Sequence, residues 1–199
     1  MSEELLIRYA SPTLAGLKTG SLFNCPSEEE KSLNESIRAF NKTLLPKGLR
    51  LLKLYGKGGA QLYLYRPARL RRDMQNTLSK ELLQKKHYPV ENPTLCVAEL
   101  SRRMKNCLSQ EKNENFPHEI GLFLGYPPED VLGFMRKGAG GSKRGGAWKV
   151  YGDEKRAQKC FARYKKCKEV YAKCYKRHNN MERLIVAEAA HETKGEKAI

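Results

Sequence analysis

The chain has 199 residues, of which 40% are hydrophobic and 30% are charged. A chain of this length and apolar content can bury a sizeable core, which excludes an intrinsically disordered protein. No stretch reaches the roughly 18 consecutive apolar residues of a membrane-spanning helix, and the acidic N-terminus MSEELLIRYA lacks the features of a secretory signal. We therefore expect a cytoplasmic protein without a membrane partner, whose six cysteines are reduced.

The formal net charge of +16 is concentrated in two blocks. Residues 31–90 carry 14 basic and 3 acidic side chains (14 − 3 = +11), and residues 121–180 carry 15 basic and 5 acidic ones (15 − 5 = +10). Charge of this kind favours an anionic partner: a small anionic molecule, a nucleic acid or an acidic protein. A solvated, lysine-rich surface explains the same composition, so composition does not separate the two.

The beginning of the chain predicts two helices and a strand. Residues 2–9 are expected to form a short helix or an extended arm, and a short strand is expected near 20–24. A helix over about 28–45 follows, because the hydroxyl and acidic residues at its start suit the positive end of a helix dipole. Its apolar residues recur at the helical period: Leu33, Ile37, Phe40 and Leu44.

The next segment, 49–66, contains the clearest hairpin in the chain. Leucines alternate with tyrosines in its second strand, LYLY, and the turn sequence GKGG separates the strands. A long helix is expected over about 67–86. Three arginines lie in its first turns: Arg69, Arg71 and Arg72. Cations are unfavourable at the positive end of a helix, so these arginines indicate a surface that serves an anion.

The second half of the chain predicts further helices and one strand. Helices are expected over 93–108 and 154–178. Between them, the segment FPHEIGLFLGYPPEDVLGFM (116–135) predicts two helices joined by a tight turn at its central glycine. A strand is expected near 147–151.

Together these elements predict an α+β fold. Its small antiparallel sheet consists of the hairpin 49–66 and the strands near 20–24 and 147–151, and several helices pack on it. Residues 1–190 are expected to form a single domain, because the length suits one. The polar end of the chain, 191–199, is expected to be a disordered tail.

His118 and Glu119 form the pair with the clearest chemical potential. The sequence lacks the second histidine of the HExxH zinc-protease motif, because position 122 is leucine. A general acid–base role for the pair, with or without a metal or haem, stays open. The alternative is structural, since Pro117 and Glu119 suit the start of a helix.

Three cysteines share one face of the predicted C-terminal helix: Cys160, Cys167 and Cys174. Tyr164 and Tyr171 lie on the same face and lysines lie opposite, so the pattern predicts a helix face that packs inward. Successive cysteines would lie about 10 Å apart along the helix, which is too far for them to share one zinc ion.

Two further motifs are too short or incomplete to identify a site. Cys25-Pro26 resembles a motif of haem-regulated proteins, but a turn before a helix explains it as well. The glycine-rich segment 136–146 lacks the GK[ST] order of a phosphate-binding P-loop, although Lys143 and Arg144 within it are able to close over phosphates. No cofactor and no metal site is predicted.

The segment 116–135 also matches the spacing of a helix-turn-helix motif. The matching residues are Gly121, Gly125, Val131 and Phe134. Such a motif reads DNA with its second helix, and here that helix begins with PPED. Glu129 and Asp130 would be repelled by phosphates, so the spacing favours the geometry while the charge argues against DNA readout by this helix.

Several segments, in this order, resemble one bacterial family: SPTLAGLKTGSLF, the hairpin end LYLYRP, FPHEIGLFLGYPPEDVLGF and GAWKVYGD. The family is known as domain of unknown function 3793, and the resemblance covers about residues 9–178. It implies an intracellular protein of anaerobic Gram-positive bacteria. The family has no established activity, so the resemblance implies no catalytic residues.

The leading hypothesis is a small intracellular binding protein with an anion-accepting site around the FPHEIG turn. Pockets commonly combine an apolar lining with a few polar groups, and such polar groups occur in the segments richest in apolar residues. The candidate ligand contacts are Arg66, His118, Glu119, Lys149 and Tyr151. The candidate basic surface comprises Arg69, Arg71, Arg72, Lys143 and Arg144.

Two alternatives stay open beside this hypothesis. One is an electrostatic nucleic-acid-binding protein that uses the basic helices 67–86 and 154–178. The other is an enzyme, or a metal- or haem-binding protein, that uses His118 and Glu119.

Overall fold

The computed structural model describes residues 1–26, 29–56, 59–109 and 116–188. The fold is α+β, as predicted, with helices around a three-stranded antiparallel sheet and a separate two-stranded sheet. The helices and strands are α1 (Glu3–Leu14), β1 (Gly20–Cys25), α2 (Glu30–Leu44), β2 (Arg50–Gly56), β3 (Ala60–Tyr65), α3 (Pro67–Met74), α4 (Thr77–Lys85), α5 (Pro93–Ser109), α6 (Ile120–Phe123), α7 (Pro128–Lys137), β4 (Arg144–Gly145), β5 (Lys149–Val150) and α8 (Glu154–His178). The predicted tail 191–199 lies outside the described residues. In the part of the chain that the structure describes, no helix combines the length and the apolar character needed to span a bilayer.

The central sheet has the strand order β1-β3-β2, and neighbouring strands are antiparallel. β2 and β3 confirm the predicted hairpin, and β1 confirms the strand expected near 20–24. The alternation in β3 places Leu62 and Leu64 in one cluster of buried residues and Tyr63 and Tyr65 in another. The middle strand is therefore buried on both faces of the sheet.

Helices cover both faces of this sheet. On the leucine face, α1, α2 and the segment after α8 supply buried side chains that include Leu6, Leu14, Leu44, Met181 and Ile185. On the tyrosine face, the helices α3 to α7 supply others, including Leu70, Leu83, Leu100, Phe123 and Val131. Full burial of each large apolar side chain stabilises the fold by about 1.5–3 kcal/mol relative to exposure.

α1 is longer than the helix expected over 2–9, because it continues through Pro12 to Leu14. A proline removes a backbone donor and normally kinks or ends a helix. Here Leu6, Ala10 and Leu14 are completely buried, and α1 packs against β1 and α8. Burial of these side chains offsets the cost of the proline.

The single helix predicted over 67–86 is wrong, because the chain forms α3, leaves the helix at Asn76 and begins α4. Asn76 Oδ1 accepts hydrogen bonds from the backbone N–H groups of Leu78 at 3.1 Å and Ser79 at 3.3 Å. An asparagine caps a helix start well but competes with the backbone inside a helix. The cap at Asn76 therefore explains the break.

The strand expected near 147–151 forms as the shorter β5, but it pairs with β4 and does not join the central sheet. The reason is that α7 binds this part of the chain. Asp130 in α7 accepts hydrogen bonds from the backbone N–H groups of Tyr151 and Gly152, both at 2.7 Å. These contacts place β5 beside α7.

α8 has the predicted bounds and is capped by Asp153, whose Oδ1 accepts a hydrogen bond from the backbone N–H of Arg156 at 3.0 Å. Tyr164 and Cys167 are buried, and the other members of the predicted face are half-buried: Cys160, Tyr171 and Cys174. The lysines opposite are exposed, among them Lys165, Lys166 and Lys173. The predicted inward face of this helix is confirmed.

Candidate functional site

Arg66, the first predicted ligand contact, is a structural residue. Its side chain is buried and donates to three backbone carbonyls: Nε to Thr13 at 2.8 Å, and Nη2 to Leu14 at 2.8 Å and Val186 at 2.7 Å. Thr13 and Leu14 end α1, where carbonyl groups lack partners within the helix and a cation is favoured by the dipole. Burial lowers the pKa of the guanidinium. Arg66 therefore joins β3, α1 and the C-terminal segment, which leaves little of it for a ligand.

Lys149 and Tyr151 lie in the segment that Asp130 binds. Asp130 is buried; its Oδ2 accepts a hydrogen bond from Trp148 Nε1 at 2.7 Å, and its Oδ1 accepts the two backbone N–H groups described above. The Tyr151 hydroxyl donates to the carbonyl of Gly138, and Lys149 is exposed. Asp130 therefore anchors the β5 segment, because both oxygens of its carboxylate accept hydrogen bonds from groups of the protein itself.

His118 and Glu119 line a cavity of about 500 Å³, here named the His118 cavity. Cations on its lining come from the end of α4 and from α5: Lys86, Arg102 and Arg103. Its apolar lining comprises Cys107, Phe116, Pro117 and Met135.

The structure divides the predicted ligand contacts between different places. His118 and Glu119 share the His118 cavity, whereas Arg66, Lys149 and Tyr151 are not among its described lining residues. Arg66 binds carbonyls at the end of α1, the backbone N–H of Tyr151 binds Asp130 in α7, and Lys149 is exposed in β5. The FPHEIG turn therefore borders a cavity, but the cations that line it are Lys86, Arg102 and Arg103. The predicted cations, Arg66 and Lys149, are not among its described lining residues.

Glu119 is the buried carboxylate of this cavity, with 2% of the residue exposed. Its Oε1 accepts hydrogen bonds from the Tyr88 hydroxyl at 3.1 Å and from Arg103 Nη1 at 3.3 Å. Burial, and next the charge of Glu119, raises the pKa of Tyr88 well above its usual range, so Tyr88 stays a donor. The Arg103 guanidinium also lies 4.2 Å from the centroid of the Tyr88 ring. The charge of Glu119 is therefore compensated within the fold.

A second carboxylate, Glu99 in α5, fixes both arginines of the cavity. It accepts hydrogen bonds from Arg102 Nε and Nη2, at 2.8 and 2.7 Å, and from Arg103 Nε at 2.6 Å. These hydrogen bonds, first those of Arg102 and then that of Arg103, lower the pKa of Glu99 to about 2. Arg103 also donates to the carbonyl of Lys86. Its guanidinium is thus held at the junction of α4, α5 and the FPHEIG turn.

The mouth of the His118 cavity carries exposed polar groups. Lys86, Arg102 and His118 are exposed, and the His118 ring packs on Phe116 and Phe134 with centroid distances of 5.4 and 4.9 Å. Three cationic side chains lie near two carboxylates, Glu99 and Glu119, that already have partners, so these five groups carry a formal charge of 3 − 2 = +1. Such an arrangement attracts an anion.

Sequence reasoning missed the residues that matter most here: Lys86, Tyr88, Arg102 and Arg103. One local signal was present, because Glu99 precedes the two arginines by three and four residues, the spacing of helical ion pairs. The contacts of Glu119 with Tyr88 and Arg103 have no such signal, because they join separate elements.

Four members of the predicted basic surface have partners within the fold. Arg69 donates to the carbonyl of Gly16, Arg72 pairs with Glu188 at 3.1 Å, Lys143 Nζ donates to the carbonyl of Gly152 at 3.0 Å, and Arg144 pairs with Glu154 at 2.6 Å. The fifth, Arg71, is exposed. Exposed ion pairs contribute little to stability, so these side chains can still exchange partners.

The corner 116–135 forms the predicted tight turn, with Gly125 at a φ of 74°. A Cβ on Gly121 would lie 2.7 Å from Val131, so α6 and α7 approach closely, as the spacing predicts. However, α6 has only four residues, and Phe134 packs on the His118 ring. The corner therefore lacks the full first helix of a DNA-reading motif.

The described residues contain no group of three or more His, Cys, Asp or Glu side chains placed to bind a metal ion. The six cysteines, all within the described ranges, form no disulfide. Cys25 ends β1 and is buried in the leucine-face core, so a haem iron there would have to displace packed side chains.

The segments that carry the family resemblance contact one another in the structure. Arg66 binds the end of the SPTLAG segment, and Asp130 binds Trp148 and the backbone that follows it. A Cβ on Gly125 would lie 2.5 Å from Thr19 Oγ1, so the corner also packs closely on the start of β1.

Comparison with known proteins identifies the family but no activity. No curated protein and no solved structure matches the chain. Residues 6–185 match the family described as "Protein of unknown function (DUF3793)". Because this match covers most of the chain and agrees with the resemblance of its segments, the protein belongs to the DUF3793 family.

Proposed function

We propose that the protein binds a small anionic molecule in the His118 cavity. The charge layout carries the proposal: Lys86, Arg102 and Arg103 line the cavity, and Glu119 is compensated by Arg103 and Tyr88. A carboxylate or phosphate of a ligand would meet two exposed cations without approaching an unpaired carboxylate.

The lining and the size suggest the class of ligand. Apolar side chains, among them Phe116 and Met135, line the cavity together with the cations, and 500 Å³ falls within the range of about 300–1,000 Å³ of small-molecule sites. The proposed ligand therefore has a compact, partly apolar body with one or two acidic groups.

Binding has more support than catalysis. The Oε1 atom of Glu119 accepts hydrogen bonds from Tyr88 and Arg103, which hold the carboxylate in place and compensate its charge. The high pKa of Tyr88 likewise favours a fixed donor over a proton-transfer group. We therefore assign Glu119 and Tyr88 a structural role at the His118 cavity.

Calorimetric titration with citrate and with inorganic phosphate tests this function. We expect the double variant Lys86→Gln, Arg102→Gln to weaken binding at least tenfold, which corresponds to about 1.4 kcal/mol. Both exposed cations are then absent, while Glu99 keeps its hydrogen bond from Arg103.

The matched control is Lys85→Gln, Arg38→Gln, which removes the same charge from exposed positions that do not line the cavity. We expect its affinities to stay within twofold of the wild type. Equal weakening in both variants, or no binding of either anion to the wild type, would contradict the proposal.

A further inference from the structure

A second cavity, of about 590 Å³, lies where α3, the turn before α7 and the first half of α8 meet; it is here named the Trp148 cavity. It shares no lining residue with the His118 cavity. Its lining combines apolar and basic side chains. It is therefore a candidate for a second binding site, separate from the one in the proposed function.

The apolar side of the Trp148 cavity is rigid. It is formed by Leu17, Trp148, Ala157 and Tyr164. Asp130 fixes the Trp148 indole by accepting its Nε1–H at 2.7 Å. The indole also stacks on Tyr126 at a centroid distance of 5.1 Å and meets the edge of Phe161 at 4.6 Å, and Lys18 Nζ lies 5.2 Å from the Tyr126 centroid. This wall exists before any ligand arrives.

The basic side comes mainly from α8. Lys155, Arg156, Lys159 and Arg163 line the cavity and are exposed. Their side chains form no hydrogen bond and no ion pair with another residue of the described ranges, unlike Arg144 with Glu154 or Arg102 with Glu99. With about 100° per residue, the four positions span roughly 100° of the helix circumference, so one face of α8 presents them together. Arg69 adds a cation from α3.

These cations are placed against the local electrostatics of the helix. Lys155 and Arg156 lie in its first turn, where the positive end of the dipole disfavours cations. Lys159 follows Lys155 and precedes Arg163 by four residues, so like charges are neighbours on the surface. An anion in the cavity would relieve both kinds of repulsion.

The acidic groups of the cavity are largely engaged. Asp130 accepts three hydrogen bonds, and Asp153 caps α8 through the backbone of Arg156. Glu129 is exposed at the edge near Gly152. It leaves the basic face of α8 open to an anion and offers an acceptor to hydroxyl or amino groups of a ligand.

We propose that the Trp148 cavity binds a phosphorylated small molecule with an aromatic body. Its phosphates contact the basic face of α8 and Arg69, and its body packs against the Trp148–Tyr164 wall. The site is independent of the anion site proposed in the His118 cavity. Volume and lining both fit, because 590 Å³ is the size of a small-molecule site and the lining combines apolar side chains with cations of α8 and α3.

The experiment compares ATP with tripolyphosphate by calorimetry, since the two share the phosphate chain and differ in the aromatic body. We expect ATP to bind at least tenfold more tightly. Tripolyphosphate titration is also followed by the fluorescence of Trp148, the one tryptophan of the chain. A saturable change is expected because the indole lies on the cavity wall.

Matched variants locate the binding. Lys155→Gln, Lys159→Gln should weaken both probes at least tenfold, while Lys165→Gln, Lys176→Gln, which removes the same charge from exposed positions of α8 outside the cavity lining, should stay within twofold. Far-UV circular dichroism and thermal unfolding verify that both variants are folded. The variant Lys86→Gln, Arg102→Gln should leave ATP affinity unchanged, which separates this site from the His118 cavity.

Three results would overturn the proposal. Equal losses in the two α8 variants mean a general polyanion surface, as for electrostatic nucleic-acid binding. Equal affinities for ATP and tripolyphosphate show that the aromatic wall takes no part. Failure of both probes to bind the wild type excludes the phosphorylated class.

Discussion

Asp130 is a buried carboxylate whose oxygens accept one hydrogen bond from an indole and two from backbone N–H groups. A buried charge is costly unless hydrogen bonds compensate it. Here they come from Trp148, Tyr151 and Gly152, so this one side chain fastens the β5 segment to α7. It also orients the indole that forms the wall of the Trp148 cavity.

We expect Asp130→Ala to lower the free energy of unfolding by about 2–4 kcal/mol, because three buried donors lose their acceptor. Urea unfolding followed by Trp148 fluorescence measures the change. The control is Glu129→Ala at the exposed neighbouring position, for which we expect less than about 0.5 kcal/mol. Similar losses in both variants would mean that the anchor role of Asp130 is wrong.

Arg66 shows the same principle with the opposite charge. Its guanidinium donates to the carbonyls of Thr13 and Leu14 at the end of α1 and to the carbonyl of Val186, so it supplies a cation where the helix dipole favours one. Arg66, predicted from the sequence as a ligand contact, therefore caps the end of α1 from its position directly after β3.

At the scale of elements, α5 brings one carboxylate and two arginines together within about one helical turn. Glu99 accepts hydrogen bonds from Arg102 and Arg103, and Arg103 continues to Glu119 in the FPHEIG turn. Glu99 therefore fixes the Arg103 side chain through their i, i+4 spacing on α5, and Arg103 in turn contacts Glu119 in the lining of the His118 cavity.

The lowered pKa of Glu99 gives a pH prediction for this element. Its folded pKa, about 2, lies below the ordinary value of 4.5, so its interactions stabilise the fold fully above about pH 4.5 and are lost as the pH falls toward 2. We expect Glu99→Gln to reduce the pH dependence of the free energy of unfolding in this window. Urea unfolding across the window measures it, with Glu81→Gln at an exposed position as control. An unchanged slope in Glu99→Gln would refute the assignment.

The corner between α6 and α7 is a second case in which an element depends on its neighbours. Gly125 has a φ of 74°, in the left-handed region that favours glycine, and Thr19 leaves no room for a Cβ there. The turn is tight for both a conformational and a packing reason, and it forms part of the Trp148 cavity.

At the scale of the whole molecule, a net charge of +16 is distributed so that two cavities collect cations on different elements. Self-repulsion of a strongly charged chain destabilises the compact state, and salt screens it. Screening alone depends on ionic strength, whereas a specific site depends on which anion is present.

We therefore expect phosphate to raise Tm more than chloride does at equal ionic strength, because a ligand of the folded state stabilises by RT ln(1 + [L]/Kd). Thermal unfolding in the two salts measures the difference. The variants Lys86→Gln, Arg102→Gln and Lys155→Gln, Lys159→Gln should each reduce it, and Lys85→Gln, Arg38→Gln should not. Identical Tm values in both salts would show that the excess cations act only as a solvated surface.

Features that depend on near neighbours along the chain could be predicted from the periodic patterns of the sequence. The bounds of α8, the hairpin of β2 and β3, and the alternation that buries β3 on both faces follow from helical and strand periods. Prediction failed at Asn76, where a local cap ended a helix that the pattern continued. The sequence also predicted an anion-accepting site around the FPHEIG turn; the turn borders a cavity, and the anion site there stays a prediction.

Which charged side chains are available to a ligand depends on contacts between elements that lie far apart in the chain. Arg66 is separated by more than 50 residues from the carbonyls of α1 that it binds, and Glu119 reaches Tyr88 over 31 residues of chain. A periodic pattern reports which face of a helix or strand is buried, but not which distant donor will meet a buried charge. That pairing is set by how the layers pack. Here the exposed cations that line cavities are at the end of α4, on α5 and on α8, whereas Arg66 is buried.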